Sequence, residues 1–342
     1  MTTVTESLRP ITRTDISADI LNDISADYAL MRYESYTSCK NAGAKKTDLG
    51  QYLCDTYKDL KHPNILFIYL ESFRAIDLGA YGGDGKVSQG FDELAKEDAR
   101  RSNGSLLLPA RNYGISMMRI YRENNYDCLP SVLKRAGYST SFIFASNAGF
   151  DQQDTFFPKI GIDKIIDEVE FPLGSERLGW GYTDEVMFTK LLEVLDKEPQ
   201  PFFSSALTST NHHPFDVPDE YQKGAREYSE KYFETMLYTS DQLYKFIREA
   251  QKRDWYKNSI IFIFADHANN QPSKYHDAAY RRIGSENTAS AAEQDHQGYL
   301  EVNYKIPLLV MGGLITQAMT EEAVSSEIDL PVTVADYWVQ RA

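Results

Sequence analysis

The sequence predicts an α/β domain with a mainly parallel central sheet and helices on both faces. Three observations carry this expectation. Apolar, β-branched and aromatic runs of strand length recur, as in Asn64-Ile-Leu-Phe-Ile-Tyr-Leu70 and Ser259-Ile-Ile-Phe-Ile-Phe-Ala265, and such continuous runs belong to strands buried on both faces. Helical patterns of ten or more residues separate them, which is the spacing of βαβ units. The runs also end abruptly in residues that bind cations or phosphate, and open α/β sheets hold ligands at the carboxyl ends of their strands.

Residues 1–60 read as a polar, irregular arm with one helix at Ile16–Arg32, where apolar residues recur at three-to-four spacing, and residues 61–342 as the α/β domain. Within the domain Asn64–Leu70 is the first core strand and Phe91–Arg101 an amphipathic helix. Leu129–Ala136 is a second helix, stopped by Gly137. The pattern then alternates through strand Thr140–Ala145, strand-like Lys164–Asp167, helix Asp184–Asp196, strand Phe202–Thr208, helix Glu227–Lys252 and strand Ser259–Ala265. Strand Ile306–Met311 and helix Val332–Gln340 close the chain. The polar loop from Asn269 to Glu301, carrying His276 and His296, is longer than a structural connection needs and is expected to cover the site.

With 342 residues, 42% of them hydrophobic, the chain buries a large core. Its 36 basic against 50 acidic residues, net charge −14, argue against a nucleic-acid or anionic-membrane surface, because neutralising phosphates needs clustered Lys and Arg. No apolar run approaches the roughly 18–20 residues of a membrane span, and Met1-Thr-Thr-Val-Thr-Glu-Ser7 lacks the basic-then-apolar layout of a signal peptide. The chain therefore reads as soluble. Cys39, Cys54 and Cys128 form no C-x-x-C pair, which excludes zinc-ribbon and thioredoxin-like sites; Cys39 and Cys54 are read either as a disulfide or as free thiols.

Glu71 and the Asp266-His267 pair stand 195 residues apart, each directly after a buried strand. Adjacent parallel strands would bring all three to one metal ion. Either acid alone would serve equally as a helix N-cap. A third segment, Leu207-Thr-Ser-Thr-Asn-His212-His213-Pro214-Phe215, makes the same switch from strand to binding residues and favours the metal reading. Carboxylates with one imidazole suit Mn²⁺ or Mg²⁺, with Zn²⁺ as an alternative.

In this order, Pro63-Asn-Ile-Leu-Phe-Ile-Tyr-Leu-Glu-Ser-Phe73, Gly161-Ile-Asp163, Gly181-Tyr-Thr-Asp-Glu-Val-Met-Phe188, Thr210-Asn-His-His-Pro-Phe215 and Phe264-Ala-Asp-His267 resemble the alkaline phosphatase/sulfatase superfamily. The likeness is greatest to its lipoteichoic acid synthase-like phosphoglycerol transferase branch. Ile306-Pro-Leu-Leu-Val310 and Ser326-Glu-Ile-Asp-Leu-Pro331 extend it over about residues 60–338.

The resemblance implies the superfamily's α/β fold and metal-dependent phosphoryl-group transfer on phosphodiesters, as a phosphoglycerol or phosphoethanolamine transferase or a phosphodiesterase. The substrate it implies is a phospholipid- or glycan-linked phosphodiester. It also implies an extracytoplasmic place in the cell envelope behind membrane helices, so a chain without a span reads as an excised domain or a soluble, cytoplasmic relative. His212 is implied as general acid or oxyanion contact, with His213 and Asn147 beside the substrate. A second metal is not implied, since Asn303-Tyr-Lys305-Ile-Pro307 lacks the histidine of two-zinc phosphatases.

Two departures stand out. The family's nucleophile is a threonine, and between Glu71 and Tyr138 there is none; the hydroxyls are Ser72, Ser88, Ser102, Ser105, Ser116 and Ser131. Ser105 is the leading candidate and Ser116 the second, in a stretch shorter than the family's. At the substrate position this chain has Asn147, followed by Gln152-Gln153 where relatives place an arginine that pairs with phosphate; Arg111 or Arg119 are the available substitutes. These departures keep open a catalytically impaired or non-catalytic relative that binds a ligand or partner. Sulfuric ester hydrolysis is disfavoured, since no Cys or Ser precedes x-Pro-x-Arg.

Overall fold

Asn64–Leu70 forms the central strand because both of its faces are apolar and both are covered. The computed structural model describes residues 62–269 and 305–335, apart from 84, 98–99, 103–104, 107–110, 113–114, 121–127, 317, 322–324 and 327–328. They belong to a compact unit spanning residues 47–342. The Ile16–Arg32 helix, His276 and His296 lie outside the described residues.

Eight strands form the main sheet in the order Met319–Glu321, Arg100–Ser102, Leu308–Met311, Ser259–Ala265, Asn64–Leu70, Phe202–Leu207, Ser139–Phe144 and Lys164–Ile166. The last five are mutually parallel, and Leu308–Met311 turns antiparallel on Ser259–Ala265. On one face Leu66, Ile68 and Leu70 join an apolar cluster with Phe91, Met187, Leu191, Met236 and Phe246 from the helices Gln89–Lys96, Asp184–Leu195 and Tyr228–Ala250. On the other face the Phe67 ring meets Phe203, Phe262 and Phe264 edge-on at 5.4, 5.1 and 5.4 Å. Such edge-to-face pairs place each ring's positive rim against its neighbour's negative face.

Three sequence expectations need correction. The helix read as Phe91–Arg101 is Gln89–Lys96, and Arg100–Ser102 is instead a strand between Leu309–Val310 and Met319–Glu321. Cross-strand hydrogen bonding from distant parts of the chain outweighs a local helical pattern there. Pro307, which has no N–H to donate, splits the strand read as Ile306–Met311 into Lys305–Ile306 and Leu308–Met311, and the two pieces pair in different sheets. The final helix starts earlier than Val332, at Asp329, and is described through Val334. Elsewhere the expected elements match to within two residues, with Ser259–Ala265 and Asn64–Leu70 reproduced end to end and Gly137 at φ +90° stopping Leu129–Arg135.

Candidate active site

Parallel register is what assembles the site. Leu70 pairs with Ala265 and Tyr69 with Leu207, so the next residues, Glu71, Asp266 and Thr208, leave the sheet side by side. The Glu71 N–H donates to Thr208 Oγ1 at 2.9 Å, and Ser72, at φ +55°, turns the chain sharply after the strand. Its N–H donates to Asp266 Oδ1 at 2.8 Å and its hydroxyl to Glu71 Oε1 at 2.8 Å. Glu71, Asp266 and His267 thereby bring one donor atom each to within 4.8 Å of one another. The structure brings this expected trio together.

The chemistry of that trio fits a divalent cation. His267 Nδ1 donates to the Ala268 carbonyl at 2.9 Å, since a carbonyl only accepts, so in the neutral ring the lone pair sits on Nε2. Nε2 is the atom that faces Glu71 Oε1 at 3.7 Å and Asp266 Oδ2 at 3.6 Å. Three electron-rich atoms facing one another repel unless a proton or a cation lies between them. Burial drives the Glu71 carboxyl well above the usual carboxylate range, and the charge of Asp266 pushes it the same way. Glu71 is 4% exposed, whereas the His267 side chain is about half exposed, so the site has a buried floor and an open rim.

His212 is carried by a loop pinned from below. Asp184, fully buried at the start of its helix, accepts the Ser209 and Thr210 N–H groups on Oδ1 at 2.9 and 3.1 Å and the Thr239 hydroxyl on Oδ2 at 2.6 Å. Asn211 Nδ2 donates to the carbonyls of Glu71 and Ser72 at 2.9 and 3.4 Å, and its Oδ1 accepts from Thr235. The Tyr232 hydroxyl also donates to the Ser72 carbonyl, at 2.9 Å. These bonds tie the His212 loop to the first strand's exit.

The His212 ring stacks on Trp180 with centroids 3.9 Å apart, and its Nδ1 donates to the His213 carbonyl at 2.7 Å. Burial lowers its pKa below the usual imidazole value, against the opposing pull of the His213 carbonyl and the Asp266 charge; His213 and His267 add to the lowering. His212 therefore lies within the electrostatic field of the Glu71–Asp266–His267 group, with the lone pair of its neutral ring on Nε2. His213 is exposed, stacked on Tyr228 at 5.0 Å.

The remaining predicted residues are less concentrated. Asn147 follows the Ser139–Phe144 strand at the same sheet edge, donates to Glu168 Oε1 at 2.9 Å and accepts from the Gly149 N–H at 2.8 Å. Gln153 is buried, and Arg119 pairs with Asp151 at 2.5 Å. Ser105 sits on the two-residue strand Ser105–Leu106, paired with Ile306 and Ser325, and Ser116 pairs with Arg111 in a separate two-stranded ribbon.

Sequence reasoning assigned no role to Ser72, Asp184, Asn211, Trp180 or Tyr232. Asp184 and Asn211 lay inside quoted motifs, and Trp180 just before one. Their roles are hydrogen-bonding and stacking partnerships across 24 to 194 residues, which no local pattern displays.

The Sulfatase family model matches residues 63–338. The chain is 28% identical over 277 residues to lipoteichoic acid synthase 1 of Bacillus subtilis, covering 73% of this chain and 42% of that protein. It thus spans about four tenths of the length of that relative. Its fold resembles the lipoteichoic acid synthase LtaP from Listeria monocytogenes, with TM-score 0.68 and 20% identity over 89% of this chain and 77% of the other. A protein of the alkaline phosphatase superfamily from Vibrio parahaemolyticus shares it at TM-score 0.66 and 22% identity, over 91% and 74% of the two chains.

Proposed function

Because the chain belongs to the Sulfatase family, in its lipoteichoic acid synthase-like branch, we propose that it transfers a phosphoryl-linked group from a phosphodiester, using one divalent cation at Glu71, Asp266 and His267. The observation that carries this reading is the convergence of two carboxylates and the Nε2 of His267 at one sheet edge. The cation, Mn²⁺ or Mg²⁺ in preference to Zn²⁺, would polarise the phosphoryl oxygens and stabilise the charge that grows in transfer.

The protein's own groups divide the remaining work. In the first half Ser105, its hydroxyl proton passed to water, bonds through Oγ to phosphorus as the bond to the leaving alcohol breaks, and His212 protonates the departing oxygen. In the second half an acceptor hydroxyl displaces Ser105, which regains a proton from water, and neutral His212 takes that hydroxyl's proton. A lowered pKa favours the neutral form needed for this second step. His213 and Asn147 line the substrate's approach. The donor class is a phospholipid- or glycan-linked phosphodiester of the cell envelope, and the group moved is phosphoglycerol or phosphoethanolamine. Among the described residues no helix is long and apolar enough to cross a membrane.

A second reading, a ligand-binding relative without turnover, is favoured by two observations. The Asn147 amide is engaged by Glu168, and the Glu71–Tyr138 stretch has no threonine. Calorimetry with Mn²⁺ and release of para-nitrophenol from bis(para-nitrophenyl) phosphate separate the two. Stoichiometric Mn²⁺ binding with metal-dependent release, both lost in Glu71→Ala, supports catalysis. Mn²⁺ binding without release supports the binding relative, and no cation binding refutes the catalytic reading.

A further inference from the structure

We propose that Trp180 is a positioning residue that fixes the orientation of the His212 imidazole, an inference that rests on the reading of His212 as the acid–base group. The indole and imidazole centroids are 3.9 Å apart with planes 19° from parallel, closer than the roughly 4.5–7 Å of ordinary aromatic pairs. Stacking fixes the plane of the His212 ring. The Nδ1 hydrogen bond to the His213 carbonyl, 2.7 Å, fixes which edge of that plane carries Nε2. Together the two contacts remove both torsional freedoms of the side chain.

Trp180 is itself held in place. Phe150 and Phe144 meet its ring edge-on at 4.8 Å and 5.6 Å, and its carbonyl accepts from Ser146 Oγ at 2.8 Å. The flanking glycines show why it sits there. Gly179 has φ +49°, and a Cβ on it would come within 3.0 Å of Pro214, on the turn that carries His212. A Cβ on Gly181 would come within 2.6 Å of the Ala145 carbonyl at the end of the Ser139–Phe144 strand. The Gly-Trp-Gly segment is wedged between these two turns, and the indole is its side chain facing His212.

The test compares Trp180→Phe, which keeps a stacking ring, with Trp180→Leu, which keeps only apolar bulk. In the wild type the His212 ring protons, assigned by their loss in His212→Ala, resonate upfield under the indole ring current; Trp180→Phe retains part of that shift and Trp180→Leu loses it. With Mn²⁺ and bis(para-nitrophenyl) phosphate, Trp180→Leu lowers kcat about tenfold or more with KM within about twofold, and Trp180→Phe recovers most of it. Mn²⁺ affinity is unchanged in both. Where release is below detection, inorganic phosphate affinity in Mn²⁺ is read instead, weakened in Trp180→Leu and His212→Ala alike. A Trp180→Leu variant equal to wild type while His212→Ala is impaired overturns the inference alone, as does an equal loss in Phe and Leu or a change confined to KM. Wild-type behaviour of His212→Ala, or no phosphate binding by the wild type, removes the underlying reading and the inference with it.

Discussion

Ser72 donates its backbone N–H to Asp266 Oδ1 at 2.8 Å across 194 residues of sequence, while its hydroxyl reaches Glu71 Oε1 at 2.8 Å. One serine therefore sets the spacing of two acids whose charges repel. Groups that orient metal ligands in this way contribute to affinity almost as the ligands do, because they supply the geometry the ion would otherwise have to impose.

Ser72→Ala keeps the N–H bond to Asp266 and removes the hydroxyl bond to Glu71. Mn²⁺ affinity is expected to fall about tenfold. Calorimetry giving the wild-type value would show that the hydroxyl plays no part in ligand placement.

Ion binding should also stabilise the fold. Mn²⁺ at about a hundredfold above its dissociation constant adds about 2.7 kcal/mol, seen as a rise in Tm that EDTA reverses. Asp266→Ala should abolish the rise, and a rise that survives it would place the ion elsewhere.

Asp184 separates a structural from a charge role. Asp184→Ala orphans two buried N–H groups and the Thr239 hydroxyl, at a cost of about 3 kcal/mol or more, whereas Asn still presents an oxygen to Ser209 and Thr210. Burial raises the Asp184 pKa, so its contribution favours the fold below the ordinary carboxylate range and is lost as pH rises through the raised value. The Asn variant lacks this loss. Its Tm relative to wild type in EDTA should therefore improve from about pH 4 to about pH 7, and a flat difference would count against a raised value.

His212→Ala should lower turnover by about a hundredfold or more and leave Mn²⁺ affinity unchanged. Because the first half needs a protonated His212 and burial favours the neutral ring, kcat/KM should fall as pH rises through a midpoint below the usual imidazole value, and His212→Ala should erase that limb. A midpoint at or above the ordinary value would contradict the buried, stacked environment.

If Ser105 is the nucleophile, acid quenching during turnover should leave the substrate's phosphoryl group, still bearing its second ester, on the peptide containing Ser105, and Ser105→Ala should remove it. The same adduct on Ser116, or undiminished release by Ser105→Ala, would reassign the step to Ser116 or to water.

Much of the fold was legible because strands buried on both faces must be continuously apolar, and Asn64–Leu70 and Ser259–Ala265 are. The Glu71–Asp266–His267 trio was legible for a related reason: its residues follow those strands directly, so parallel pairing in register is enough to join them. The strand at Arg100–Ser102 was not legible, since its partners, Leu309–Val310 and Met319–Glu321, are some 200 residues away and its own sequence is polar.

By itself, then, the sequence determined the strand runs, the βαβ order and the residue types waiting at the strand ends, because hydrophobic periodicity and chain order are local properties. Only the tertiary structure decided how Ser72 spaces the acids, how Asp184 and Asn211 anchor the His212 loop, and how Trp180 stacks on His212. Hydrogen bonds and ring contacts depend on distances between atoms far apart in the chain, and those distances exist only once the register of the sheet has closed.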